Sequence, residues 1–173
     1  MRGPAGFRIL FASNLKWTWR CPITRIVGLH VAAGDLYAAV TDDEVVLDDE
    51  FSVLRLSPNM DPADALLDFA NRFRQHLRRL RPAAVAMMKT RRYSSWTWEQ
   101  AAKRARVEAV ITLASAEQEI AYHLVRQEDA ARVLQAPRSD FGRALAGTPG
   151  TGGWTAWGDR AVALAAALTM QRR

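Results

Sequence analysis

Thr24-Arg25-Ile26-Val27-Gly28-Leu29-His30-Val31-Ala32-Ala33-Gly34-Asp35-Leu36-Tyr37-Ala38-Ala39-Val40-Thr41 sets the architecture of this chain. Residues 24–30 form an apolar, β-branched run, with Ile26, Val27 and Leu29 as its apolar positions. Ala32-Ala33-Gly34-Asp35 carries turn chemistry, with a glycine available for positive φ. Residues 36–41 read as a second strand, and Thr41-Asp42-Asp43-Glu44 as a second turn. Residues 45–56 read as a third strand, with Asp48-Asp49-Glu50 as the place for a break. Strands at this spacing predict an antiparallel meander.

Downstream the period changes. Asp61-Pro62 is a helix start, with Asp as N-cap, Pro at the first helical position and Asp64 in the first turn. Leu66, Phe69, Ala70, Phe73, Leu77 and Leu80 recur at spacings of three and four, which predicts an amphipathic helix ending before Pro82. Residues 83–88 are a continuous short apolar run, the pattern of a buried parallel strand. Thr97 and Gln100 form a capping box for a helix to about Leu113. A strand over 119–125, helices over 127–134 and 141–146, and an Ala-rich helix over 158–170 complete the order. Meander first, then alternating helices and strands, gives an α/β fold: a mixed sheet flanked by helices.

Upstream, residues 1–24 are different in kind. Gly3, Pro4, Gly6, Asn14 and Pro22 surround the patch Leu15-Lys16-Trp17-Thr18-Trp19-Arg20. This segment reads as an N-terminal extension or arm, or as an added edge strand, with residues 25–173 as the domain. The 173 residues suffice for one full core. A single cysteine, Cys21, excludes a disulfide scaffold. No apolar run reaches the roughly 20 residues of a membrane span, and the start lacks a signal-peptide core, so a cytoplasmic location is expected.

The net charge of +6 is unevenly distributed. Residues 1–30 carry five basic and no acidic side chains, and 31–70 carry ten acidic and one basic. Residues 71–106 carry eleven basic and one acidic, while the remainder balances. A basic block gathered on one face would concentrate phosphate backbones. Within it, Lys89-Thr90-Arg91-Arg92-Tyr93-Ser94-Ser95-Trp96 interleaves cations with aromatics that can stack on bases. The competing reading is a surface turn with Trp96 in the core. No phosphate-binding glycine loop and no metal-type Cys/His spacing is present: Gly147-Thr148-Pro149-Gly150-Thr151-Gly152-Gly153 has no following Lys.

Four pieces in order resemble the RuvC-type Holliday-junction resolvases, a branch of the ribonuclease-H-like superfamily, over about residues 25–170. Ile26-Val27-Gly28-Leu29-His30 resembles the opening strand, which ends in Asp in that family. Pro82-Ala83-Ala84-Val85-Ala86-Met87-Met88 resembles the strand that ends in a catalytic Glu. The junction from Tyr122 through Val125-Arg126-Gln127 resembles the entry to the family's basic helix. Trp157-Gly158-Asp159-Arg160-Ala161-Val162-Ala163-Leu164 resembles the closing helix. The resemblance implies a ribonuclease-H-like mixed sheet, an antiparallel three-strand meander plus parallel strands, flanked by helices. It also implies two Mg²⁺ ions held by carboxylates, or by three and a His.

At the positions the resemblance assigns to those ligands stand His30, Met88 and Ala156, and only Asp159 keeps a carboxylate. Mg²⁺ takes oxygen ligands, and a thioether does not serve. The expectation is a catalytically degenerate domain with these four as vestigial positions, no catalytic residue, no cofactor and no metal. Nucleic acid, DNA or RNA, would then be met by Lys89, Arg91, Arg92, Tyr93, Trp96 and Arg126, in a homodimer or a larger complex. Two alternatives stay open. One is an active Mg²⁺-dependent nuclease with non-standard ligands, drawing on Asp35, Glu99 or 42–44. The other is a protein–protein interaction module that keeps only the fold.

Overall fold

The computed structural model describes residues 25–47, 51–89, 97–152, 154 and 157–172. Six strands form one sheet: β1 (Ile26–Ala32), β2 (Asp35–Asp42), β3 (Val45–Leu47), β4 (Val53–Leu54), β5 (Ala84–Met88) and β6 (Ala121–Val125). The main order is β3-β2-β1-β5-β6, with β4 also paired to β2. β1 is antiparallel to β2 from Ile26↔Thr41 to Ala32↔Asp35, and parallel to β5 with Ile26 opposite Ala84. β5 is parallel to β6, with Ala84 opposite Ala121. The meander and the buried parallel strand stand as expected.

Some bounds differ from the sequence reading. Asp42 belongs to β2, because the turn is made by two residues, Asp43 (φ 50°) and Glu44 (φ 64°). Both lie in the left-handed region that a type I′ hairpin requires. Ala33 (φ 52°) and Gly34 (φ 85°) turn β1 into β2 in the same way. As the sequence reading allowed, the third strand is two short pieces, β3 and β4, both paired to β2.

Helix α1 (Pro62–Leu80) begins as read. The Asp61 carboxylate accepts from the Ala63 N–H at 2.9 Å, and Arg81 closes the helix in the left-handed conformation. α2 (Trp98–Glu117) starts at the Thr97–Gln100 capping box, with both reciprocal hydrogen bonds formed at 3.1 and 3.3 Å, and runs one turn beyond Leu113. α3 (Gln127–Leu134), α4 (Phe141–Ala144) and α5 (Trp157–Gln171) follow.

Strand alternation divides the core into two layers. Val27, Leu29, Val31, Val85 and Met87 join Phe69, Phe73, Leu77, Val107 and Ile111 on the α1/α2 face. Ile26, Ala86, Met88 and Val125 join the alanines of α5 on the other. Trp157 ties the start of α5 to α4, and Trp154 packs on α5. Trp157 Nε1 donates to the Gly142 carbonyl at 3.0 Å, and the Arg160 guanidinium lies 3.6 Å from the Trp154 ring centroid. Their role in this structure is packing.

Candidate functional site

Gly28 positions the site. A Cβ on Gly28 would come within 2.0 Å of the Ala163 carbonyl oxygen and 2.9 Å of the Ala167 Cβ, so α5 rests directly on the β1 backbone. Asp159 lies four residues before Ala163, one helical turn toward the helix start. His30 lies two residues after Gly28, on the same face of β1. The two side chains therefore meet, with Nε2 of His30 3.6 Å from Oδ1 of Asp159. That separation is too long for a hydrogen bond.

His30 is 2% exposed, and among the described residues its Nδ1 has no hydrogen-bond partner. Burial lowers its pKa from 6.5 to about 3, and the charges of Arg138 and Arg104 push in the same direction. The ring is neutral at physiological pH. Asp159, with its side chain 44% exposed, has its pKa raised by desolvation; Arg138 opposes that shift and Asp35 adds to it. Arg104 donates to the Val31 carbonyl at 2.7 Å and pairs with Glu108, which fixes its charge at the end of β1. Asp35 is held by Arg55 at 2.9 Å. A Cβ on Gly34 would strike the Lys103 stem, so Lys103 lies across the β1–β2 turn.

Met88 follows Met87, which pairs with Leu29 across β1 and β5, and it is fully buried in the α5-side core. Lys89 follows it at the surface. Its N–H donates to the Val125 carbonyl at 2.8 Å, and its carbonyl accepts from Gln127 Nε2 at 3.4 Å. Arg126 is exposed at the start of α3, with Nε 3.2 Å from Asp129 Oδ2. The fold thus gathers His30, Met88, Lys89, Arg126 and Asp159 at the C-terminal end of the parallel strands. Arg91, Arg92, Tyr93, Trp96 and Ala156 lie outside the described residues.

Sequence reading missed the two cations that add to the effect of burial on His30. Arg104 stands on the apolar stripe Val107, Ile111, Ala114 of α2, and an arginine on such a stripe was a usable signal. Arg138 comes from an aperiodic stretch and offers none. The basic block is also not one face. Arg72 pairs with Asp68 at 2.6 Å, and Arg74 with Glu117 at 2.7 Å. Only three residues separate the end of α1 from the start of β5, so Arg78, Arg79 and Arg81 lie at the pole opposite His30.

Among the described residues no group of three or more His, Cys, Asp or Glu side chains could hold a metal ion. One imidazole, one thioether and one carboxylate do not fit a pair of Mg²⁺ ions.

No protein-family model and no curated protein sequence matches the chain. Among solved structures it is similar to Thermus thermophilus RuvC in complex with a Holliday junction substrate, with a TM-score of 0.70 and 22% identity over 84% of this chain and 91% of that one. A second Thermus thermophilus RuvC structure gives 0.68 and 20% over 84% and 92%. The yeast mitochondrial Holliday junction resolvase Ydc2 gives 0.61 and 15% over 87% and 79%. The chain has the RuvC-type ribonuclease-H-like fold.

Proposed function

We propose that this chain is a RuvC-like domain without two-metal cleavage, and that it binds nucleic acid through the phosphates at the C-terminal end of its parallel strands. The observation that carries this reading is the surroundings of His30. Burial, the largest cause of the imidazole's lowered pKa, disfavours a charge there, and the Arg138 and Arg104 charges further oppose a cation. Lys89, Arg91 and Arg92, which follow β5 in the chain, and Arg126, which follows β6, would meet phosphates, and Tyr93 or Trp96 would stack on an unpaired base. The structural likeness to a resolvase captured with its junction favours branched DNA as the ligand. Neutral His30, near Asp159, would act as part of the floor of this groove rather than as a base for water.

The same reading takes residues 25–173 as the working domain, a homodimer or a larger protein complex as the assembly, and the cytoplasm as its place. Among the described residues no helix is long and apolar enough to cross a membrane.

Binding and cleavage are tested together on four-way junction, duplex and single-stranded DNA, with and without Mg²⁺ or Mn²⁺. The expected result is binding in EDTA, preferential for the junction, and no cutting in either metal. Metal-dependent cutting that vanishes in Asp159→Ala would overturn the loss of cleavage. Absence of binding at low salt on any substrate would replace the nucleic-acid reading with that of a protein-interaction module. The ion pairs that tie Arg72 to Asp68 and Arg74 to Glu117 are the observation favouring that second reading.

A further inference from the structure

The ends of the parallel strands are not level. Leu29 on β1 lies opposite Met87 on β5, so Val31 stands level with Lys89. Met88 on β5 lies opposite Val125 on β6, which puts Lys89 level with Arg126. β1 runs on past that level to Ala32 and turns at Ala33 and Gly34. At about 3.3 Å per residue, the turn projects roughly 7–10 Å beyond Lys89 and Arg126. It forms a wall beside the floor on which those two cations stand.

Helix α2 lays a cation on that wall. A Cβ on Gly34 would come within 2.8 Å of Cγ, Cδ and Cε of Lys103. Three consecutive carbons of the lysine stem therefore rest against the glycine, in space that a side chain at position 34 would fill. Gly34, with φ 85°, serves the turn and the close approach together. The neighbouring Arg104 fixes this rung of the helix. It donates to the Val31 carbonyl at 2.7 Å and pairs with Glu108, so its own charge is matched.

The Lys103 charge is not matched. Among the described residues Lys103 forms no ion pair, while Asp35 is held by Arg55 and Glu108 by Arg104. An ammonium whose stem is already held gives up less rotamer freedom on meeting an anion than one that swings in water.

We infer that Lys103 is a preorganised phosphate contact on the β1–β2 wall. A nucleic-acid strand lying over the ends of β5 and β6 is then held from the side as well as from the floor. The inference rests on the nucleic-acid reading proposed above, and adds to it one contact and the glycine that seats it.

Fluorescence anisotropy of the full chain on a short DNA duplex, across a salt series, tests this. Lys103→Gln should weaken binding about five- to tenfold at low salt and lower the slope of log affinity against log salt by up to about 0.9, the value for one duplex phosphate. Lys103→Arg keeps the charge and should keep most of the slope. Arg78→Gln, at the opposite pole, should change neither quantity. Gly34→Asn is the sharper variant. Asn accepts the left-handed conformation, but its side chain takes the place of the Lys103 stem. It should lower the slope as Lys103→Gln does, and the two changes together should cost no more than either alone. A glycine that served the turn alone would lower the melting temperature and leave the slope of the folded protein unchanged.

Full additivity of the two changes, or a wild-type slope in Lys103→Gln, overturns the inference. If Gly34→Asn does not fold, the two lysine variants decide: loss in Gln but not in Arg supports the contact, and equal loss in both overturns it. Wild-type binding that Lys103→Gln leaves intact removes this contact and spares the nucleic-acid reading. Absence of wild-type binding at low salt removes both.

Discussion

The carbonyl oxygen of Ala163 stands 2.0 Å from the point where a side chain on Gly28 would begin. This contact between the middle of β1 and the middle of α5 sets the height of the helix on the sheet. It therefore sets the meeting of Asp159 with His30, one helical turn and two strand residues away.

Gly28→Ala should accordingly destabilise the protein by about 1–3 kcal/mol, because the new methyl meets backbone that can move only by lifting α5. Gly158→Ala is the control. Nothing lies within 4 Å of its Cβ position, and the change should be neutral or stabilise by up to about 1 kcal/mol. Urea denaturation of both variants checks the difference, and equal midpoints would contradict it.

The His30 imidazole gives a pH dependence with a definite sign. Its folded pKa of about 3 lies below the ordinary 6.5, so the unfolded chain binds the extra proton between those values. Stability is full above about pH 6.5 and falls as the pH drops toward 3, by up to about 4 kcal/mol at 1.36 kcal/mol per unit. Asp159 acts in the opposite sense: its raised pKa favours the protonated folded form and offsets part of the acid loss. Between pH 7 and 4, His30→Gln should lose less stability than the wild type. An identical slope would mean that His30 is not held neutral.

Magnesium should leave the melting temperature within about 1 °C at millimolar concentration, since a ligand stabilises the fold only by binding it. The donor set His30, Met88 and Asp159 gives the ion no cage. Differential scanning fluorimetry with EDTA as reference is sufficient, and a rise of several degrees would reveal ligands outside the described residues.

The proposed phosphate contacts predict a salt signature. Changing Lys89, Arg91 and Arg92 together to Ala should weaken duplex binding and reduce the slope of log affinity against log salt. The reduction is at most about 0.9 for each phosphate that the variant no longer neutralises. Arg78→Ala with Arg79→Ala, at the opposite pole, should leave the slope unchanged. Fluorescence anisotropy across a salt series separates the two. An effect confined to the second pair would move the groove to the other end of the sheet.

What the sequence by itself determined is local. Asp61-Pro62 and Thr97–Gln100 encode two helix starts within four residues each, and the structure forms both sets of cap hydrogen bonds. The alternation of 24–41 and the apolar run 83–88 distinguish antiparallel hairpin from buried parallel strand, because side-chain period follows backbone geometry. The resemblance to RuvC-type resolvases also aligned His30 and Asp159 in principle. Their 3.6 Å approach follows from the docking of α5 on Gly28, a contact between residues 135 positions apart. Charge shows the limit most plainly. Eleven basic residues over 71–106 look like one patch, yet the fold sends Arg78, Arg79 and Arg81 to one pole and Lys89 to the other, and ties Arg72, Arg74 and Arg104 to carboxylates. Composition counts charges along the chain, whereas the field at His30 depends on distances through space, and those exist only once helices and sheet have packed.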